Sequence, residues 1–209
     1  MPTLLLLLAG YLLGSIPAGY LAGHWWRGVD IRQEGSGSTG ATNVLRVVGK
    51  GPALLVFLVD VLKGTAAVLL AQALQPGADG VAVAAGLAAL AGHIWPLWLG
   101  WRGGKAVATA LGMLLGLAWP VGLACFGIFL AVLSLSRIVS LSSVVAAVAL
   151  PLLMLGWFGA PLPLTIRWPH LILALLTSVL VIWRHRSNLQ RLLAGTEPRL
   201  GQARGGSGS

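Results

Sequence analysis

Charge is what this sequence has least of. Only 9% of its 209 residues are charged, and acids are the scarcer kind, with five Asp and Glu against 14 Lys and Arg. Soluble domains carry about 25% charged residues, so a water-soluble enzyme of this length could not coat itself and is excluded. Disorder is excluded from the other direction, because 57% of the residues are hydrophobic and disordered chains are poor in such residues. A single cysteine, Cys125, leaves no partner for an intramolecular disulfide and no thiolate cluster for a metal. Four histidines are scattered along the chain without a His-Glu-x-x-His pair, so no metal site is expected. Carboxylates outside the apolar runs are Asp30, Glu34, Asp79 and Glu197, poor provision for paired-carboxylate or magnesium-assisted chemistry. No solvated basic domain is available to bind nucleic acid.

Long apolar runs are what is present. A span needs about 20 such residues, and they occur at 3–25, 52–74, 81–100, 106–119, 120–135, 141–158 and 169–184. The fourth and fifth, meeting at Trp119–Pro120, read as two short helices or as one re-entrant unit. The first run has no charged leader and no clean cleavage site, so it reads as a retained span and not a signal peptide. The expectation is an all-α integral membrane protein with seven transmembrane helices. Residues 1–204 are expected to form a single domain, with 205–209 (GGSGS) read as a flexible tail or an added linker. Twelve of the 14 Lys and Arg fall in one set of connections, Arg167 alone falls in the other, and Lys63 lies inside a run. Basic residues collect on the cytoplasmic side, so the C-terminus is expected in the cytoplasm and the N-terminus outside. Trp25, Trp26, Trp98, Trp101, Trp157, Trp168 and Trp183 stand near run ends, where an interfacial belt would have them.

Polar clusters concentrate on the same basic side. In residues 35–46, GSGSTGATNVLR, Gly35, Gly37 and Gly40 alternate with Ser36, Ser38, Thr39 and Thr42, followed by Asn43 and Arg46. Glycines let backbone N–H groups converge on an anion, hydroxyls add donors, and an arginine clamps phosphate. A plain Gly/Ser connector has no need of interleaved Thr, Asn and Arg. The absence of a closing Gly-Lys-Ser/Thr sets it apart from a nucleotide P-loop. In residues 92–109, Arg102-Gly103-Gly104-Lys105 precedes the fourth run, an arrangement suited to phosphate and equally to a basic anchor at a tight turn. His93, near Pro96, reads as a hydrogen-bonded structural histidine. Ser134–Ser143, SLSRIVSLSS, form a hydroxyl-rich turn around Arg137 that by itself reads as a helix cap with a charge anchor. At the end of the last run, His185 and Asn188 are three apart and share a helix face, beside a basic stretch that would also suit anionic lipid. Asp60 and Lys63 sit inside the second run at a spacing that lets them pair, supporting the site from below.

These blocks together resemble the bacterial acyl-phosphate:glycerol-3-phosphate acyltransferase family, PlsY. The match is carried by GSGSTGATNVLR, by GHIWPLWLGWRGGKAVAT (92–109) and by HRSNLQRLLAGTEPRLG (185–201), with GSIPAGYLAG, DVLKG and SRIVSLSS in between and before, all in order. The resemblance implies transfer of an acyl chain from acyl phosphate to the 1-hydroxyl of sn-glycerol 3-phosphate. The products would be lysophosphatidate and phosphate, formed at the cytoplasmic face of the inner membrane, without a cofactor or metal. It implies that Ser36, Arg46, Lys105, His185 and Asn188 hold glycerol 3-phosphate. Gly37, Gly40, Thr42, Asn43, Gly103, Gly104 and Ser143 would complete substrate binding. Its partners would be the two substrates, membrane lipid and the enzyme that makes acyl phosphate. Two positions depart from the family pattern: Ser38 stands for Asn, and Ala106 for Gly. A small organophosphate transporter is the alternative, but it would carry polar groups at mid-membrane depth, and here only Asp60 and Lys63 lie deep.

Overall fold

The computed structural model describes residues 2–157 and 164–201, and every regular element in them is helical. In chain order these are α1 (Thr3–Gly14), α2 (Ala18–Arg27), α3 (Ala41–Val47), α4 (Lys50–Leu74), α5 (Asp79–Ile94), α6 (Val107–Leu117), α7 (Trp119–Ser136), α8 (Val139–Trp157), α9 (Leu164–Arg184) and α10 (Arg186–Leu193), with a short 3₁₀ turn at Leu97–Leu99. The tail 205–209 and the junction 158–163 lie outside the described residues.

Five stretches are long and apolar enough to cross a membrane: Thr3–Arg27, Lys50–Leu74, Asp79–Leu99, Trp119–Ser136 and Val139–Trp157. A sixth is reached if α9 and α10, which meet at a 58° bend, count as one broken span. The fourth expected run, 106–119, became α6, a helix of 11 residues. At 1.5 Å per residue it is about 16 Å long, roughly half the hydrocarbon thickness. The first run is not one rod: Pro17 lacks a backbone N–H and constrains Ile16, so α1 and α2 are separated at residues 15–17. The break between the fourth and fifth runs falls at Ala118, one residue before the expected junction, because Pro120 suits the first turn of α7.

Helix contact inside a bilayer depends on close backbone approach, which small residues allow. α4 packs most extensively on α6, and α1 on α5. A Cβ added at Gly112 would run into the backbone of Val61, and one at Gly14 into that of Ala89, so both interfaces close only because glycine stands there. One apolar core, including Leu90, Met113, Leu150, Met154 and Leu173, joins these helices to α8 and α9. A second, smaller core of Ile31, Val44 and Val56 lies beneath the glycine-rich loop. All seven tryptophans expected at the interface are exposed.

Candidate active site

The glycine-rich loop, residues 35–40, is held from within by Asn43. Its buried amide donates to the carbonyls of Ile31, Glu34 and Ser38 at 3.0–3.1 Å, and its Oδ1 accepts from the Ser36 N–H at 2.8 Å. Gly35 and Gly37 take left-handed φ values of 59° and 69°, which lets the chain wrap round that side chain. The Ser38 hydroxyl oxygen accepts from the Gly40 N–H at 3.4 Å, a local turn bond that Asn also makes. The departure from the family pattern at this position therefore keeps the turn.

The Arg102–Lys105 segment folds back over the end of α5. The N–H groups of Gly103 and Gly104 donate to the carbonyls of Ile94 and His93, each at 3.1 Å. Arg184 clamps the other side, donating to the carbonyls of Gly104 and Gly103 at 3.1 and 3.2 Å. Any Cβ at Gly104 would strike the His93 ring, and one at Gly103 the His93 carbonyl. Below this, Lys63 donates to Asp60 Oδ1 at 2.7 Å, His93 Nδ1 at 2.8 Å and the Ile16 carbonyl at 3.1 Å. Three protons meet three acceptors, which is how a buried ammonium is tolerated. An ammonium can only donate, so His93 accepts at Nδ1. The expected Asp60–Lys63 pair and the structural role of His93 are thus both present.

On the far side, Lys105 donates to Asn188 Oδ1 at 2.5 Å, and the Asn188 amide donates to Glu197 Oε1 at 2.6 Å. Glu197 also accepts from Ser140 and from Arg191, both at 2.7 Å. A carboxylate only accepts, so it fixes which way Asn188 faces and turns the amide oxygen toward Lys105. Burial alone would raise the Glu197 carboxyl pKa, but hydrogen bonds from Asn188, Ser140 and Arg191 outweigh it and keep the group below its usual range. The Lys105 ammonium is pushed down to about 8, first by burial and further by Arg191, Arg46 and Arg184, against the opposing pull of Glu197. His185 sits at the α9–α10 bend, its Nδ1 2.7 Å from the Val181 carbonyl. A carbonyl accepts, so Nδ1 carries the hydrogen and Nε2 is the ring's acceptor.

Ser36, Gly40, Thr42, Asn43, Arg46, Lys105, Ser143, His185 and Asn188 all line one cavity of about 730 Å³. Three expected residues do not. Gly37 faces the Arg32 carbonyl, while Gly103 and Gly104 are packed on His93 and held by Arg184. Their part is to let backbone come close behind Lys105, and Asn43 is chiefly the loop's internal brace. Glu197, Ser140 and Arg184 were not singled out from the sequence. Glu197 and Ser140 lie within the matched blocks, but their hydrogen bonds to residues nine and 57 positions away are set by tertiary folding.

The cavity shares Phe57, Val107, Ala108, Phe129 and Ser143 with a second, almost wholly apolar groove of about 570 Å³ between α6, α7, α8 and α9. Its deeper wall includes Leu111, Leu114, Phe126 and Leu150. One end of the joined space is cationic and hydrogen-bonding, the other is hydrocarbon.

A helical membrane-type bundle enclosing such a two-part cavity defines the class, and comparison with known proteins gives the family. Residues 4–195 match the family described as glycerol-3-phosphate acyltransferase, and the chain belongs to it. Among curated relatives, glycerol-3-phosphate acyltransferase of Prochlorococcus marinus (strain MIT 9313) is 70% identical over 200 residues, covering 96% of each chain. That of Synechococcus sp. (strain CC9902) is 66% identical with the same coverage. The crystal structure of PlsY (YgiH), an integral membrane glycerol 3-phosphate acyltransferase, in its glycerol 3-phosphate form is 40% identical and superposes with a TM-score of 0.86. That comparison covers 95% of this chain and 96% of that one. The lysophosphatidic acid form of the same protein gives 0.83.

Proposed function

We propose that this protein transfers an acyl group from acyl phosphate to the 1-hydroxyl of sn-glycerol 3-phosphate, releasing lysophosphatidate and inorganic phosphate. The observation that carries this reading is the junction of the cationic cavity with the apolar groove at Phe57, Val107, Ala108, Phe129 and Ser143. A phosphate-bearing acceptor and a donor with both a phosphate head and a hydrocarbon tail can meet only in such a space. The protein works at the cytoplasmic face of a bacterial inner membrane. Its N-terminus is outside, and its seven crossings include the short α6, shielded by its neighbours.

Arg46 and Lys105 hold the glycerol 3-phosphate, with Ser36, Asn188 and His185 placing its glycerol end. His185 Nε2 is an acceptor suited to a glycerol hydroxyl. Thr42, Gly40 and Ser143 receive the donor head, and its tail lies along the groove toward Leu150. The acceptor oxygen forms a bond to the acyl carbon as the acyl–phosphate C–O bond breaks, its electron pair leaving with inorganic phosphate. The hydroxyl proton passes to the acceptor's own phosphate. Acyl phosphate is already activated, so alignment and charge stabilisation suffice without a protein nucleophile. Glu197 does not serve as base: all three of its donors must be kept for Asn188 to face Lys105.

Purified protein given palmitoyl phosphate and glycerol 3-phosphate should release phosphate, and should not do so with acyl-CoA as donor. Absence of release from folded protein refutes the reading. Lys105→Ala and Arg46→Ala should each lower turnover by roughly 10²–10³-fold. Trapping an acyl-Ser36 ester in a single turnover would replace the direct transfer with a two-step one.

A further inference from the structure

A third recess, about 1630 Å³ counting the part open to solvent, adjoins the site on its polar side. It lies between the α3–α4 corner and the segment after α10, and it shares Ser36 and Arg46 with the catalytic cavity. Arg46, Lys50, Arg191 and Arg199 line it, and no carboxylate does so among the described residues. Arg191 is engaged by Glu197 at 2.7 Å, and the side chains lining the opening carry charge of one sign. Arg46, Lys50 and Arg199 are exposed. In a chain with so few charges, four cations converging on one opening is a concentrated field, and a concave wall of one sign raises the local concentration of counter-ions.

We propose that this vestibule is a loading site for soluble phosphomonoester dianions: glycerol 3-phosphate enters through it, and inorganic phosphate leaves by it. Lys50 and Arg199 bind the incoming phosphate outside the reaction space and pass it to Arg46, which faces both cavities. The acyl chain uses the opposite, apolar side, so neither substrate has to displace the other. This rests on glycerol 3-phosphate being the acceptor, and it is independent of which acyl donor is used.

The test is the Lys50→Gln/Arg199→Gln double variant of the full chain in neutral-detergent micelles. At low ionic strength kcat/KM for glycerol 3-phosphate should fall roughly tenfold, through KM, with kcat and the KM for acyl phosphate unchanged. The gap should close at about 1 M salt, where the screening length shrinks to about 3 Å. Lys50→Arg/Arg199→Lys, which keeps the charge, should behave as wild type. Equilibrium binding of inorganic phosphate, measured without donor, should weaken in the Gln variant, a result that stands even if the donor assignment fails. An unchanged KM at low salt, a gap that persists in high salt, or a defect shared by the charge-keeping variant overturns the proposal. In bilayers with and without anionic lipid, a loss confined to the anionic bilayers would mean that the cations hold lipid head groups, and would equally overturn it.

Discussion

Ala106 adopts φ 60° immediately before α6 and is buried. A side chain in the left-handed region costs about 1–2 kcal/mol, which explains why the family pattern has glycine there. Ala106→Gly removes that strain, although glycine's looser unfolded state returns about 0.4–1 kcal/mol. The expected outcome is a net gain of up to about 1.6 kcal/mol, read as a small rise in thermal midpoint, with activity retained. The neighbouring Lys105 has a chemical consequence. With its ammonium held down to about 8, Lys105 adds its charge to that of Arg46 below that pH and loses it above, while Arg46 stays charged. The plot of kcat/KM for glycerol 3-phosphate against pH should therefore fall as pH rises through about 8. Bound phosphate favours the charged form, so the same limb in kcat should lie at higher pH. A profile in Lys105→Arg that stays flat through this range would assign the limb to Lys105, because arginine keeps its charge. Lys105 stood out in the sequence from its place among Arg102, Gly103 and Gly104. The hydrogen bonds behind it did not, because Glu197 meets Ser140 and Asn188 only after α8 and α10 have been brought together.

At the scale of elements, the glycine-rich loop depends on one side chain. Asn43→Asp keeps the shape but removes the donors to three carbonyls and sets a carboxylate against them. Leaving buried groups unsatisfied costs about 1–3 kcal/mol, so rapid proteolysis in residues 31–40 and near-complete loss of activity are expected. The α4–α6 contact is similarly dependent on size. Gly112→Leu would separate these helices at Val61, and overpacking of about 1–3 kcal/mol should appear as a lowered thermal midpoint in detergent. A midpoint equal to wild type would show that α6 can move aside. Helix positions were readable from the apolar runs. Helix lengths were not, since hydropathy does not distinguish an 11-residue helix packed among others from a complete crossing.

For the molecule as a whole, three recesses meet at one point: the polar cavity shares Ser143 with the apolar groove and Arg46 with the basic recess. The asymmetry of Lys and Arg predicts which side of the membrane that point faces. In a Cys125→Ala background, a cysteine placed at Ser134 should react with an impermeant thiol reagent only in inside-out vesicles. One placed at Gly77 should react only in right-side-out vesicles. The reverse pattern would invert the topology.

Composition and the lengths of the apolar runs determined by themselves that the chain is a helical membrane protein. These are properties of transfer between water and hydrocarbon, summed over residues wherever they lie in the chain. The motif blocks likewise marked which residues would gather at one cavity, because their polar and cationic side chains stand close together in the chain. Tertiary structure alone decided that Gly103 and Gly104 support Lys105 from behind, that Glu197 orients Asn188, and that a hydrocarbon groove opens onto the cationic cavity. Each of these depends on distances between segments far apart in sequence, and such distances are set by packing and not by any local pattern.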